Sequence, residues 1–345
     1  MRKTGLTSCT TPTVAAVAAV LLLSLSSGDG LAQKRPGRPK IALVLGGGQA
    51  IGFAHVGVLR WLEEHRIPVN AVAGTSMGAY VGALYAMGYS ATEMSVVLDR
   101  VDWGQTLFQG EIPYQEKWKG KSNDRKREAL ISLVPGVNLE AFVPFKAAGL
   151  AIFSRLPRIA DIYGSLRSFD DLPTPFRCVA TDLVRGQEVV LESGSLTLAL
   201  TAALSVPGYA EPVRIDERLL VEGGLVNNLP VNVGLASGAD YVIAVVLSSL
   251  PPLRTELDTY SGQAMRSIEI LRDLNQLRSI SKADVLIAPD FANFTETDFN
   301  RIKELIDRGY SATAKQAAVL MKFSAGEDEW ITYVKARQAK RRSSR

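Results

Sequence analysis

The segment AGTSMGA, residues 73–79, contains the pattern Gly-x-Ser-x-Gly with Ser76 at its centre. In many hydrolases this pattern places a nucleophilic serine on a tight turn between a strand and a helix. A serine hydroxyl is a weak nucleophile and needs a neighbouring base. Histidine is the usual base, but both histidines of the chain, His55 and His65, precede the serine. Ser76 therefore needs another base, or it is only the N-cap of a helix.

A carboxylate can serve as that base if it contacts the serine directly. The segment LLVEGGLVNNLPV places Glu222 at the end of an apolar run, directly before two glycines. Strand ends are where α/β folds bind ligands, and apolar surroundings make a carboxyl group more basic. Glu222 is therefore the candidate base, and an exposed turn carboxylate is the alternative. We expect His55 to pack or to hydrogen-bond rather than to act as the base.

A glycine-rich turn, GGGQAIG at residues 46–52, offers a possible anion site. Backbone N–H groups at such a turn, ahead of a helix, can face a pyrophosphate or the oxyanion of an acyl-transfer intermediate. The dinucleotide fingerprint requires glycine at its first, third and sixth positions. Counted from Gly47 the third position is Gln49, and counted from Gly46 the sixth is Ile51. A nucleotide site is therefore disfavoured, and a tight turn without a ligand stays open.

The elements that position these residues follow from hydrophobic periodicity. Apolar and β-branched runs predict strands at Lys40–Leu45, Val69–Ala73, Phe176–Leu183, Glu188–Glu192, Arg218–Val221, Asp240–Leu247 and Val285–Ala288. Helical spacing predicts helices at Phe53–His65, Met77–Met87, Leu196–Leu204 and Tyr260–Ser279, and two helical pieces over Phe299–Phe323 that are interrupted at Gly309. The alternation predicts an α/β fold with a parallel sheet between two helical layers, and the apolar strand at 240–247 is expected to be central.

Composition and charge narrow the class of protein. The chain has 345 residues, of which 47% are hydrophobic and 21% charged, so it can bury a full core. The net charge of +4 is concentrated at residues 34–40 and 335–345. That distribution is unlike a nucleic-acid footprint, so no nucleic-acid partner is expected. A basic tail could contact an anionic membrane surface, and a solvated, fraying terminus is the alternative.

The first residues have the pattern of a secretory signal. Arg2 and Lys3 precede an apolar run at 14–25, and small residues follow at 30–32. The run is short for a membrane span, so we expect a signal peptide over residues 1–32 and export to the periplasm or the medium. An uncleaved N-terminal anchor is the competing interpretation.

The three sites, in this order and spacing, resemble those of the patatin-like phospholipases. KIALVLGGGQAIGFAHVGVL is similar to the family's opening strand, oxyanion loop and first helix, VAGTSMGAYVGALYAMGYS to its serine elbow, and VEGGLVNNLPV to a later block. The resemblance implies a three-layer α/β/α fold with a mainly parallel central sheet. It also implies a Ser–carboxylate dyad that hydrolyses acyl esters of phospholipids or other lipids without a metal or a cofactor.

The resemblance assigns roles by position. Ser76 is the nucleophile, Glu222 occupies the position of the base, and Gly74 and Gly78 shape the nucleophile elbow. The oxyanion hole is formed by the turn that contains Gly47, Gly48, Gln49 and Gly52. The matching region is a patatin-like domain over residues 39–290. Residues 291–345 are expected to form a C-terminal helical segment with a basic tail, and residues 102–168 a cap or loop layer.

Three positions depart from the family pattern. Glu222 stands where the family has Asp, Gln49 where it usually has Gly, and Ile51 where it usually has Arg. A misplacement near 1 Å can cost ~10²-fold in rate, and a side chain at position 49 opposes a positive φ. Loss of one oxyanion donor costs roughly 10²–10³ in turnover. We therefore expect a serine acyl hydrolase of reduced activity, and the alternative is an inactive patatin-fold protein that binds lipid or a partner.

Overall fold

The computed structural model describes residues 38–101, 156–207, 210–248, 257–258 and 260–342. The predicted signal peptide lies outside these residues, as does most of the region expected to form a cap. Among the described residues, no helix combines the length and the apolar character needed to cross a membrane.

Strands and helices lie close to where hydrophobic periodicity predicts them. The strands are β1 (Ile41–Leu45), β2 (Ala71–Thr75), β3 (Ser165–Leu166), β4 (Phe176–Asp182), β5 (Gln187–Leu191), β6 (Gly194–Ser195), β7 (Val213–Ile215), β8 (Arg218–Glu222), β9 (Tyr241–Val245) and β10 (Val285–Ile287). The α-helices are α1 (Ala54–Glu64), α2 (Met77–Ala86), α3 (Ala91–Asp99), α4 (Leu196–Ala203), α5 (Val231–Ala236), α6 (Tyr260–Ile280), α7 (Ile302–Ala314), α8 (Ala317–Leu320) and α9 (Glu327–Lys340). Short 3-10 helices span Gln49–Phe53, Leu156–Tyr163, Phe169–Asp171, Gly223–Leu225 and Met321–Phe323.

The central sheet has the strand order β10-β9-β1-β2-β4-β8-β7, with β5 paired to β4 off this path. From β10 to β4 the strands are parallel, whereas β5, β7 and β8 are antiparallel to their neighbours. The prediction of a mainly parallel sheet is confirmed. The prediction that the 240–247 strand is central is wrong, since β9 is second from an edge. An apolar run indicates burial on both faces, not a position in the strand order.

Helices cover both faces of this sheet. Ile41, Leu43 and Leu45 of β1 belong to a large apolar cluster that also contains the buried residues of α1 and α2. The alternate residues Ala42 and Val44 belong to a second cluster with residues of α5. Alternate side chains of one strand point to opposite faces, so the molecule has three layers, as the sequence predicts.

The predicted helix break at Gly309 is wrong, because α7 runs without interruption through that residue. A Cβ atom on Gly309 would clash with the carbonyl oxygen of Ala54, and one on Gly57 would clash with that of Ile306. The two glycines allow the backbones of α1 and α7 to touch. The helix ends only after Ala314, ahead of the short helix α8.

Candidate active site

Strand pairing brings Ser76 and Glu222 together. The edge of β4 that does not pair with β5 pairs first with β2 and then with β8. Thr75 lies opposite Val179, and Glu222 lies opposite Ala180, the next residue of β4. Because β2 is parallel to β4 and β8 is antiparallel, the carboxyl ends of β2 and β8 meet head to head. Ser76 follows Thr75 and therefore lies beside Glu222.

The backbone at Ser76 is a strained elbow between β2 and α2. Its φ of 53° and ψ of −126° lie in a region that residues with a side chain rarely adopt. A Cβ on Gly74 would lie 2.5 Å from the carbonyl oxygen of Gly78, and one on Gly78 would clash with that of Leu45. Both glycines are therefore needed for the turn. Ser76 occupies the N-cap position of α2, yet its side chain makes no capping hydrogen bond, so a purely capping role is wrong.

Glu222 is fully buried, so the alternative of an exposed turn carboxylate is wrong. Neither carboxylate oxygen accepts a hydrogen bond that meets the usual geometry. Burial raises the pKa of this carboxyl group, and the nearby Arg272 guanidinium and Ser76 hydroxyl oppose that rise. The hydroxyl is thus close to the carboxylate without a well-formed bond. Catalytic hydrogen bonds are often long in unliganded enzymes and tighten when substrate binds.

The backbone of the glycine turn has donors for an oxyanion. The N–H of Gly47 already donates to the carbonyl oxygen of Asn228 at 3.1 Å. The N–H groups of Gly48 and Gln49 have no acceptor within the described residues, so these two are the candidate donors. Gly47 allows a close approach instead, because a Cβ there would lie 3.1 Å from the Cβ of Ser76.

Gln49 has a φ of 45°, so its side chain does not exclude the left-handed conformation. Its side-chain amide donates to a carboxylate oxygen of Glu296 at 2.8 Å. The next N–H, that of Ala50, donates to the carbonyl oxygen of Glu296 at 3.0 Å. Glu296 therefore holds the turn from both its side chain and its backbone.

Ile51 and Gly52 shape the same turn by packing. Ile51 is fully buried in the larger apolar cluster, and its Cγ1 would lie 2.9 Å from a Cβ on Gly48. A Cβ on Gly52 would clash with the Met77 side chain at the start of α2. This turn thus rests directly on the helix that begins after the nucleophile.

His55 buttresses the glycine turn and does not contact the dyad. Its Nε2 lies 2.8 Å from the carbonyl oxygen of Gly46, and its Nδ1 has no hydrogen-bond partner. Burial lowers the pKa of His55 to about 4, so the ring is neutral and donates from Nε2. The prediction that His55 is a hydrogen-bonding residue is confirmed.

Sequence reasoning missed a set of polar residues on α6 that face the site. The Asn275 side chain donates to the carbonyl oxygen of Gly224 and accepts from the N–H of Asn228, both at 2.7 Å. The Gln276 side chain accepts from the Asn228 amide at 3.1 Å. Together with Arg272 these residues occupy positions i, i+3 and i+4, which share one helix face. The sequence therefore places these three side chains on one face of α6, but it does not show what that face contacts.

Comparisons with a family model and with individual proteins agree on one family. A family model described as patatin-like phospholipase matches residues 43–235. An uncharacterized NTE family protein of Mycobacterium tuberculosis is 32% identical over 250 residues, which cover 70% of this chain and 60% of that protein. Patatin-like phospholipase domain-containing protein 6 of Homo sapiens is 28% identical over 300 residues, which cover 78% of this chain and 20% of that protein. This chain therefore spans about 60% or less of the length of these relatives.

Among solved structures, VipD from Legionella pneumophila aligns with 83% of this chain and 67% of its own chain. The TM-score of that alignment is 0.45 and the sequence identity is 13%.

Proposed function

The chain belongs to the patatin-like phospholipase family, and from this premise we propose that it is a serine acyl hydrolase acting on lipid esters. Its dyad is Ser76 and Glu222. The observation that supports this most is the meeting of β2 and β8, which sets a strained serine beside a buried carboxylate. The Ser76 hydroxyl makes no capping hydrogen bond, and the Glu222 carboxylate accepts no well-formed one. The hydroxyl can therefore transfer its proton to the carboxylate as its oxygen attacks a substrate.

In the proposed mechanism Glu222 accepts the proton of the Ser76 hydroxyl as the oxygen attacks the acyl carbonyl. The oxyanion that forms is stabilised by the N–H groups of Gly48 and Gln49. Collapse of this intermediate expels the alcohol, which takes the proton from Glu222 and leaves an acyl-serine. Glu222 then accepts a proton from water, the resulting hydroxide releases the acyl group as a carboxylic acid, and the proton returns to Ser76.

The electrostatics of Glu222 suit a general base. A carboxylate with an ordinary pKa is a weak base at neutral pH, and efficiency improves as the pKa of the base approaches the working pH. Burial raises the pKa of Glu222 in that direction. One buried group thus supplies the function that a histidine has in most serine hydrolases.

A lipid or phospholipid substrate and contact with a membrane surface are part of this proposal. They derive from the family and from the basic residues near the C-terminus. Export from the cell rests on the signal-peptide pattern in residues 1–32. Vesicle co-sedimentation of the mature chain and cell fractionation would test the two points separately.

A fluorophosphonate probe tests the dyad without any assumption about the substrate, because it reports an activated serine. We expect the purified chain to gain one adduct, on the peptide that contains Ser76. Ser76→Ala should abolish the adduct, and Glu222→Gln should slow its formation by ~10²-fold or more. Glu217→Gln is the matched control, since Glu217 is exposed in the turn before β8 and should label like the wild type.

Absence of labelling would favour the alternative function, that of a binding protein without catalysis. A chain that is folded by circular dichroism and gains no adduct would contradict the hydrolase. The fully buried base and the absence of a well-formed Ser–Glu hydrogen bond would then be features of an inactive patatin-fold protein that binds lipid or a partner.

A further inference from the structure

Arg272 of α6 is a charged residue buried beside the dyad, and its side chain is only 4% exposed. Its Nη2 lies 2.6 and 2.8 Å from the two carboxylate oxygens of Glu296. Its Nη1 lies 4.0 Å from Oε1 of Glu222. One guanidinium group therefore lies between two carboxylates, one of which is the proposed catalytic base.

The charge of Arg272 matters because few other groups offset the negative charge of the buried Glu222 carboxylate. Within the described residues no second cation lies within ion-pair distance of Glu222. A buried carboxylate without a partner retains its proton, and a protonated carboxyl group cannot accept the proton of a serine. A dyad with a fully buried Glu thus needs a fixed positive charge nearby.

Glu296 has two opposite effects on the base. Its hydrogen bonds fix the Arg272 guanidinium in place, and its own negative charge raises the pKa of Glu222. The same residue holds Gln49 and Ala50 of the oxyanion turn. Glu296 is therefore connected to both halves of the active site.

We propose that Arg272, held by Glu296, is a positioning residue that keeps Glu222 ionised beside Ser76. Through the contact of Glu296 with Gln49, the same pair fixes the oxyanion turn relative to the base. This inference rests on the proposed function, since it concerns the activation of Ser76. The pair is not an anion site, because two carboxylates against one guanidinium leave the cluster negative and would repel a phosphate head group.

The charged groups around this pair come from three parts of the chain. Glu222 faces Arg272 and Glu296 as well as the Ser76 hydroxyl. Arg272 is also influenced by Glu269, one turn earlier on α6. Burial raises the pKa of the neighbouring Asp273, and the charge of Arg272 opposes that rise. Among the described residues, removal of the guanidinium leaves no positive charge within ion-pair distance of Glu222, so the base should become harder to ionise.

The test is the pH dependence of the fluorophosphonate labelling rate at Ser76, measured on the full chain. In the wild type we expect the rate to rise with pH as Glu222 ionises and then to level off. In Arg272→Met the rising limb of this pH profile should shift to higher pH by about one unit or more, as expected for loss of a cation within 4–6 Å. Arg278→Met, which removes an exposed arginine from the same helix, is the matched control and should leave the limb unchanged.

Two further variants keep the test decisive if Arg272→Met does not fold. In R272M/E296Q both charges are lost, while the new amide can still contact Gln49. The rising limb should again shift to higher pH, but by less than in Arg272→Met. R272K keeps the charge but replaces the guanidinium, whose Nη2 contacts Glu296 and whose Nη1 faces Glu222, with a single ammonium group. The rising part of its pH profile should therefore stay near that of the wild type, while the maximal rate falls by ~10-fold or more.

The outcomes separate this inference from the proposed function. A folded wild-type chain that is not labelled would overturn the proposed function. Wild-type labelling at Ser76 together with an unshifted limb in folded Arg272→Met or R272M/E296Q would overturn the role of Arg272 and leave the hydrolase intact. An R272K variant that labels like the wild type at every pH would also contradict the role of the guanidinium in holding Glu222 and Glu296 relative to each other.

Discussion

At the scale of single residues, the active site combines strain with burial. Ser76 and Gln49 both have a positive φ, of 53° and 45°, although neither is glycine. Gln49 gains a side-chain hydrogen bond to Glu296, whereas the Ser76 side chain makes no capping bond that would offset its strain. Such strain costs on the order of 1–3 kcal/mol per residue and persists where the surrounding structure enforces it. In the proposed mechanism, the strained backbone of Ser76 presents its hydroxyl to the substrate.

Ser76→Gly should therefore be more stable than Ser76→Ala, by ~1–2 kcal/mol, because glycine adopts this conformation without a steric penalty. Both variants lose the hydroxyl, so they differ only in the Cβ atom and in the backbone conformations that it permits. Urea denaturation gives the two free energies of unfolding. Ser205, buried but without a positive φ, is the control, and there the order should reverse. Equal stability of the two Ser76 variants would show that the elbow is not strained.

His55 predicts a specific loss of stability in acid. Burial lowers its pKa from 6.5 to about 4 in the folded protein. The unfolded chain thus binds a proton that the folded chain does not, so this contribution is present above pH 6.5 and is lost as the pH falls towards 4. The full effect is about 3 kcal/mol, at 1.36 kcal/mol for each unit of pKa difference.

The variant His55→Gln removes this titration and keeps a donor for the Gly46 carbonyl. The free energy of unfolding, measured in urea from pH 7 to pH 4, should fall less steeply in the variant than in the wild type. Parallel curves would mean that His55 is protonated normally in the folded state.

At the scale of elements, the contact between α1 and α7 depends on two glycines. Intrinsic helix propensity predicts that Gly309→Ala stabilises α7 by about 1 kcal/mol. The structure predicts the opposite sign, since the new Cβ would clash with the Ala54 carbonyl and force the helices apart. We expect a net loss of ~2 kcal/mol or more in the free energy of unfolding. Gly326→Ala, at an open site, should change it by much less.

Helix α6 shows what periodicity can and cannot predict. The sequence predicts the helix itself, but amphipathic packing would turn its leucines inward. In the structure Leu271, Leu274 and Leu277 are 50, 54 and 63% exposed, whereas Arg272 and Gln276 are buried. The helix packs its polar face on the active site. A single sequence cannot reveal this, because the groups that satisfy those side chains lie far away along the chain.

The same reason explains the other differences between prediction and structure. Ser76 and Glu222 could be found because local motifs mark them, a serine between two glycines and an acid before two glycines. Glu296 carries no local motif, and its importance arises from contacts with Gln49 and Arg272. The sequence predicts a helix break at Gly309, because close contact between two helices cannot be seen in one sequence.

At the scale of the whole molecule, helix α9 is hydrogen-bonded to the elements that position Ser76. The Tyr333 hydroxyl donates to the Val69 carbonyl at 2.9 Å, in the approach to β2. The Arg337 guanidinium donates to the Tyr85 carbonyl at 2.6 Å and to the Thr174 hydroxyl at 3.1 Å. Helix α2 begins directly after Ser76 and ends directly after Tyr85, so α9 holds the end of α2 that is far from the candidate site.

Arg337 should therefore contribute to stability rather than to chemistry. Arg337→Met removes one of two donors to the Tyr85 carbonyl, which also accepts from the N–H of Gly88 at 2.9 Å. It also removes the donor to the Thr174 hydroxyl and a guanidinium that lies 3.8 Å from the centre of the Tyr85 ring. We expect the free energy of unfolding to fall by ~2–4 kcal/mol. Lys335→Met, the same charge change at an exposed position of α9, should stay within about 0.5 kcal/mol of the wild type. Below the unfolding transition, both variants should label at Ser76 at the wild-type rate. A folded Arg337→Met that labels slowly would show instead that α9 influences the geometry of the dyad through α2.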